Sequence, residues 1–359
     1  MSQDIQFEGG FTPESWEYAR AFAGSLGSLP SSFTSVIRLL VTDFDKDPSS
    51  LSQYGSFFCT RLLRTPSVQA PYFNAIRFLK PQLLTNPSKA FTTKNFLGAF
   101  GGYEHAVFLA TIFLHRHCRN LCNASLLQDV THRLQRGLNL GWLIGNAIPS
   151  IGPGAGLLLG GFRVLGFLPF IKHDADGFSN YWSHLNSNGL DLDLNYEFQR
   201  WQCNSLQVAL MMGQQLGFGI PRVVPLMKAI TTTSPLLTAE DAERAFRVID
   251  VWMESIVKLH SAPAIPLPPK YYPNKSELDS LLKRSSDALD GLESEWLTKV
   301  PADITPKTAP QLFVGGREFR SAVNEGFPEE IANEVGDAAI DELSNKLLKE
   351  FLREDEETE

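Results

Sequence analysis

The chain has 359 residues, 43% of them hydrophobic, enough for one large domain or two ordinary ones with buried cores. A formal net charge of -8 argues against the non-specific attraction to nucleic acid or to an acidic membrane surface that clustered Lys and Arg would supply, so neither partner is expected. Cys59, Cys118, Cys122 and Cys203 are too few for a disulfide framework, and Met1 leads into polar Ser2-Gln3-Asp4 instead of an apolar export signal, so the expected compartment is the reducing cytoplasm.

Helical spacing recurs along the chain, while alternating strand patterns are scarce, so the expected fold is all-α. Thr12-Pro13-Glu14 reads as an N-cap followed by proline at the first helical position, with Trp16, Ala19 and Phe22 or Ala23 on one face. Phe33, Val36, Ile37 and Leu40 repeat that spacing, and Val130, Leu134, Leu138, Trp142 and Gly145 form the stripe of a central helix over 129–148. Ala147 to Ile171 is nearly free of charge and about long enough to span a bilayer. Pro149, Pro153 and Pro169 interrupt it, however, and no Lys/Arg cluster flanks it, so a buried helix over roughly 155–168 is expected and no membrane span.

After Pro235, Thr238 with Asp241 forms a capping-box pattern ahead of a stripe of Ala242, Ala245, Phe246, Ile249, Met253, Ile256 and Val257. Residues 262–273 hold five prolines in twelve positions and read as an extended connector. Further helices are expected from Ser276 and from Pro328 to Arg353, before a solvated acidic tail over 354–359.

Several segments in this order carry a resemblance. Leu29-Pro30, the helix from Ser32, the acidic turn Asp47-Pro48-Ser49-Ser50-Leu51, Arg61-Leu62-Leu63-Arg64 and a helix start at Leu97-Gly98 follow the sequence of features in the HDOD domain. That is a bacterial signalling family related to metal-dependent HD phosphohydrolases. The resemblance runs from Leu29 to about Ile230, with the stretch between Leu51 and Arg61 shortened. It implies a helical lead-in over 1–28, an HDOD domain over 29–235 divided into 29–125 and an HD-like core over 126–235, and a helical extension over 236–353.

Catalytic HD cores place a histidine on one helix, a His-Asp pair on the next and further ligands beyond. By resemblance the first histidine falls near Arg136-Gly137, the His-Asp pair is replaced by Arg163-Val164, and the later glutamate and histidine correspond to Glu197 and Ser205. A hydrolytic centre needs neutral imidazoles and carboxylates around a cation, and arginine, permanently charged, cannot serve as a ligand. The resemblance therefore implies a regulatory module without metal, cofactor or catalysis, acting through protein partners. A nucleotide or other small anion in the old site is a further implied ligand.

The second reading keeps a metal phosphohydrolase with a rearranged set drawn from His115, Cys118, Cys122, His173, Asp174 and Glu197. On a helix, positions 115, 118 and 122 share a face that could hold zinc, but only three ligands share it and the surrounding FLATIFLHRHCRNLC reads more readily as packed core. His173-Asp174 is a literal HD dipeptide, but its polar surroundings suggest a turn. Arg163 has two readings: a buried cation paired with a carboxylate such as Glu197, which is preferred because an unpaired buried cation is costly, or an anion-binding group. The glycines of GPGAGLLLGG lack the Lys-Ser/Thr of a phosphate loop and are expected to permit close helix packing.

Overall fold

The computed structural model describes residues 11–27, 29, 31–63, 66–84, 97–119, 122–231, 235–290 and 296–297. Every regular element among them is helical, as the sequence periodicity predicts. In chain order the helices are α1 (Pro13–Gly24), α2 (Ser31–Lys46), α3 (Gln53–Leu62), α4 (Pro66–Leu79), α5 (Gly102–Arg119), α6 (Ala124–Ala147) and α7 (Pro153–Leu165). There follow α8 (Leu168–His173), α9 (Ala175–Asn188), α10 (Leu194–Trp201), α11 (Ser205–Leu216), α12 (Ile220–Thr231), α13 (Asp241–Leu259) and α14 (Lys275–Asp290). The helix expected over 328–353 and the acidic tail lie outside the described residues.

The chain forms two compact units, one from residues within 1–29 and 115–290, the other from residues within 30–114 and 291–359. In the second unit, Phe33 stacks on Phe113 with ring centroids 4.3 Å apart, and Phe108 meets Phe100 and Trp296. His105, wholly buried there, has its Nε2 3.1 Å from the carbonyl of Leu97 and its Nδ1 3.3 Å from the hydroxyl of Tyr72. Burial drives its pKa down to about 4. Helix α5 begins at Gly102 and not at Leu97-Gly98, and a Cβ on Gly102 would meet the carbonyl of Leu40 at 2.5 Å.

The first unit is organised around the hairpin of α6 and α7, whose antiparallel course follows from three glycine pairs. Gly137, Gly141 and Gly145 recur every fourth residue on α6, one above the other on a single face. They meet Gly160, Gly156 and Gly152 of the second arm in reverse order. A Cβ on Gly137 would lie 2.3 Å from the carbonyl of Gly160, one on Gly141 2.0 Å from that of Gly156, and one on Gly145 2.3 Å from that of Gly152. Hydrogen is the only side chain this seam admits. The turn between the arms ends at Gly152, at φ 82°, and Pro153 then opens α7.

The remaining helices of the unit cover this hairpin. Helix α1, capped by the hydroxyl of Thr12 accepting from Ser15 N at 3.2 Å, packs on α11, while α13 and α14 pack on α6. The sequence-based bounds at 28 and 235 cut across this unit, because the stripes of α1 and α13 are buried against core helices and not within separate modules. The capping box expected at Thr238 does not form: that hydroxyl donates to the carbonyl of Pro235 at 2.8 Å, and α13 starts after Glu240 without a side-chain cap. The proline-rich connector contains a short 3-10 turn, Pro269–Tyr271, anchored where Trp252 Nε1 donates to the carbonyl of Tyr271 at 3.1 Å.

The apolar segment 153–173 is long and apolar enough to cross a membrane by length and composition, yet 89% of its most apolar window is buried within the chain. It is also broken at Gly166-Phe167 between α7 and α8. A Cβ on Gly166 would meet the carbonyl of Ser205 at 1.9 Å, so the break is where α7 abuts the start of α11.

Candidate functional site: an arginine-lined cleft

One cleft of the first unit is lined by Arg133, Arg136, Gly137 and Leu140 of α6 and by Gly160, Arg163 and Val164 of α7, with Phe167 beyond. Asp191 and Leu192, from the loop before α10, line it as well, together with Met253 and Val257 of α13 and Leu289 of α14. Its cavity volume is about 80 Å³. At roughly 10–15 Å³ per water this is space for about five to eight waters.

The helical repeat explains why the cations gather. Arg133 and Arg136 are three residues apart on α6 and share a face. Close approach of the backbones at Gly137 and Gly160 brings Arg163, one turn past Gly160, to the same flank of the hairpin. Arg133 is fixed by donation from Nη1 to the carbonyl of Asp191 at 3.0 Å and by its guanidinium lying 4.2 Å from the ring centroid of Trp182. Its pKa is lowered chiefly by burial, and the charges of Arg136 and Arg163 push in the same direction, against Asp191. Arg136 is exposed, and its side chain makes no hydrogen bond or ion pair among the described residues.

Arg163 does not pair with Glu197. Its Nη1 lies 2.7 Å from Asp250 Oδ1 of α13, with the arginine side chain 22% and the aspartate 51% exposed. Such an ion pair is worth roughly 0.2–1 kcal/mol, since solvent screens a half-exposed carboxylate. The correction has a geometric cause: Arg163 points to the flank that α13 covers, whereas Glu197 is sealed at the junction of α7 and α11.

Glu197 is wholly buried and accepts from Ser205 N at 2.6 Å, from Ser205 Oγ at 3.0 Å and from the hydroxyl of Tyr181. Burial raises its pKa to about 7, opposed by the hydrogen bonds from Ser205 and Tyr181 and reinforced by Asp193. The same surroundings raise the phenol of Tyr181, first by burial and then by the charge of Glu197. Of the six HD-type positions, the fold thus unites Arg136, Gly137, Arg163 and Val164 in the cleft and sends Glu197 and Ser205 into a separate buried cluster.

The rearranged metal set does not converge. Among the described residues no group of three His, Cys, Asp or Glu side chains is arranged to hold a metal ion. Cys118 is buried, Cys122 lies 3.7 Å from the carbonyl of Leu168, and His115 is kept neutral, its pKa driven down to about 4 first by burial and then by Arg119 and Arg116. His173 ends α8, and Asp174 caps α9 by accepting from Gly177 N at 3.1 Å while pairing with Arg200 at 2.8 Å and Trp201 Nε1 at 3.0 Å. Asp174 is a quarter exposed and engaged by these three donors, and hydrogen bonding from Arg200 is the main reason its pKa is lowered.

Sequence reasoning missed Arg133, Asp191 and Asp250. The signal for Arg133 was its spacing of three from Arg136. The signal for Asp250 was an acidic residue on the flank of an apolar stripe, four after Phe246 and three before Met253. Asp191 had none, because it is delivered by a loop. Comparison of the chain with protein-family models, curated proteins and solved structures returns no match.

Proposed function

We propose that the protein is a non-catalytic regulatory module of the HDOD kind, whose cleft takes a small anion and whose surface carries protein partners. The observation that supports the anion is the gathering of Arg133, Arg136 and Arg163 in one cleft, at the first two of the ligand positions that the resemblance assigns to an HD enzyme. Three guanidinium groups repel a cation and offer planar, multidentate donors to a carboxylate or phosphate. The arginines thus turn a metal pocket into its electrostatic opposite. The regulatory role and the protein partners follow from the HDOD resemblance, and a cytoplasmic setting from four cysteines being too few for a disulfide framework.

Titration calorimetry with inorganic phosphate tests the anion site: the wild type binds, and Arg136→Glu, which reverses one charge at an exposed position, binds at least tenfold more weakly. The non-catalytic part is tested by incubating the protein with nucleoside monophosphates and manganese. No phosphate release is expected, and release that vanishes in Arg163→Ala would overturn it.

A further inference from the structure

The carboxylate nearest the cleft cations belongs to the protein itself. Asp250 meets Arg163 at 2.7 Å while half exposed, so it can swing into water without losing its hydration. Meanwhile Arg136 stands without an ion-pair partner among the described residues, and Arg133 is held beside it. The cleft lining carries three arginines against the one carboxylate of Asp191. This cationic surplus remains while Asp250 engages Arg163 and grows when it leaves. Much of the remaining lining is apolar: Leu140, Val164, Met253, Val257 and Leu289.

We propose, resting on the anion-binding reading above, that Asp250 is a built-in competitor displaced by a small acid with an oxyanion head and a short apolar body. The head takes the place of the aspartate on Arg163 and reaches Arg136, while the body lies against the apolar wall. A cavity of about 80 Å³ suits a small molecule of this kind. Because Asp250 sits on α13, occupancy removes an ion pair between that helix and α7. Ligand binding is thereby coupled to the Asp250–Arg163 contact, and by linkage a change that breaks that ion pair tightens ligand binding.

The test uses the full chain with butyrate as probe, and inorganic phosphate and adenosine monophosphate as comparators, titrated into wild type, Asp250→Asn, Asp250→Ser and Arg136→Glu. Butyrate should bind the wild type and both Asp250 variants, the variants about two- to fivefold more tightly, which is the span of a half-exposed ion pair. Amide exchange over 241–259 should quicken when butyrate is added to the wild type and be already quick in Asp250→Asn, whatever the ligand. Binding seen only in the Asp250 variants would also support competition. Asp250 variants that bind no more tightly, while Arg136→Glu still abolishes binding, would overturn the competitor and leave the anion site standing. Phosphate binding without butyrate binding, or the nucleotide binding best, would overturn the ligand class, and no binding to any protein with any probe would overturn both proposals.

Discussion

The α6–α7 hairpin presents two flanks built from the same residues of sequence and governed by opposite physics. Along the seam, three pairs of glycines bring backbones together until nothing but hydrogen fits between them. On the adjoining flank the same approach leaves a recess in which Arg133, Arg136 and Arg163 face one another. The seam derives stability from dispersion across a surface without voids, and it tolerates no added atom. The cleft gathers like charges that destabilise one another, and it is held by neighbours such as Trp182, Asp191 and Asp250. Close packing on one side is thus the cause of the charge concentration on the other.

The largest expected effect comes from breaking the seam. Gly141→Ala places a methyl about 2.0 Å from the carbonyl of Gly156, an overlap that only separation of the helices relieves. It should cost about 3 kcal/mol or more in urea denaturation, the upper end for overpacked cores. Gly24→Ala, where a Cβ meets nothing within 4 Å, should instead be neutral or stabilise α1 by up to about 1 kcal/mol. Equal losses at both positions would mean that the seam is not special.

Next comes the buried carboxyl of α10. With its pKa raised from 4.5 to about 7, Glu197 holds a proton in the folded chain that the unfolded chain has released. Its contribution is fully present below pH 4.5 and is lost as pH rises through about 7, on the order of 3 kcal/mol in all at ~1.4 kcal/mol per pH unit. Unfolding free energies measured between pH 4.5 and 8 should fall accordingly in the wild type, and Glu197→Gln should flatten that slope. His105, in the other unit, has the opposite sign: its lowered pKa means that stability is lost as pH falls from 6.5 through about 4. Monitoring the two units separately by amide exchange should reveal opposed pH trends.

Smallest in stability, though not in binding, are the cleft arginines. Arg163→Ala removes a half-exposed ion pair and should cost less than about 1 kcal/mol, and Arg136→Glu, at an exposed position, within about 0.5 kcal/mol. A loss above 2 kcal/mol for either in thermal unfolding would assign the cleft a structural role equal to that of the seam.

Much of the helical order could be read from periodicity and caps: the stripe of α6, the Thr12 cap of α1 and the start of α14 one residue before Ser276 all follow local rules. All six positions singled out by the resemblance were chosen from the sequence alone, and four of them, Arg136, Gly137, Arg163 and Val164, line one cleft while Glu197 and Ser205 do not. What sequence could not supply was the partner of Arg163. Glu197 and Asp250 were both available acids, and nothing in local spacing distinguishes them.

The sequence by itself determined that the chain is helical and that glycines recur every fourth residue in the central segment, since both depend on interactions within a few residues. Only the tertiary structure decided that those glycines meet in antiparallel pairs, that Glu197 is sealed beside Ser205 and Tyr181, and that Arg163 turns to Asp250. These outcomes depend on which faces the other helices cover, and burial of that kind is a property of the whole packed unit, not of any segment in it.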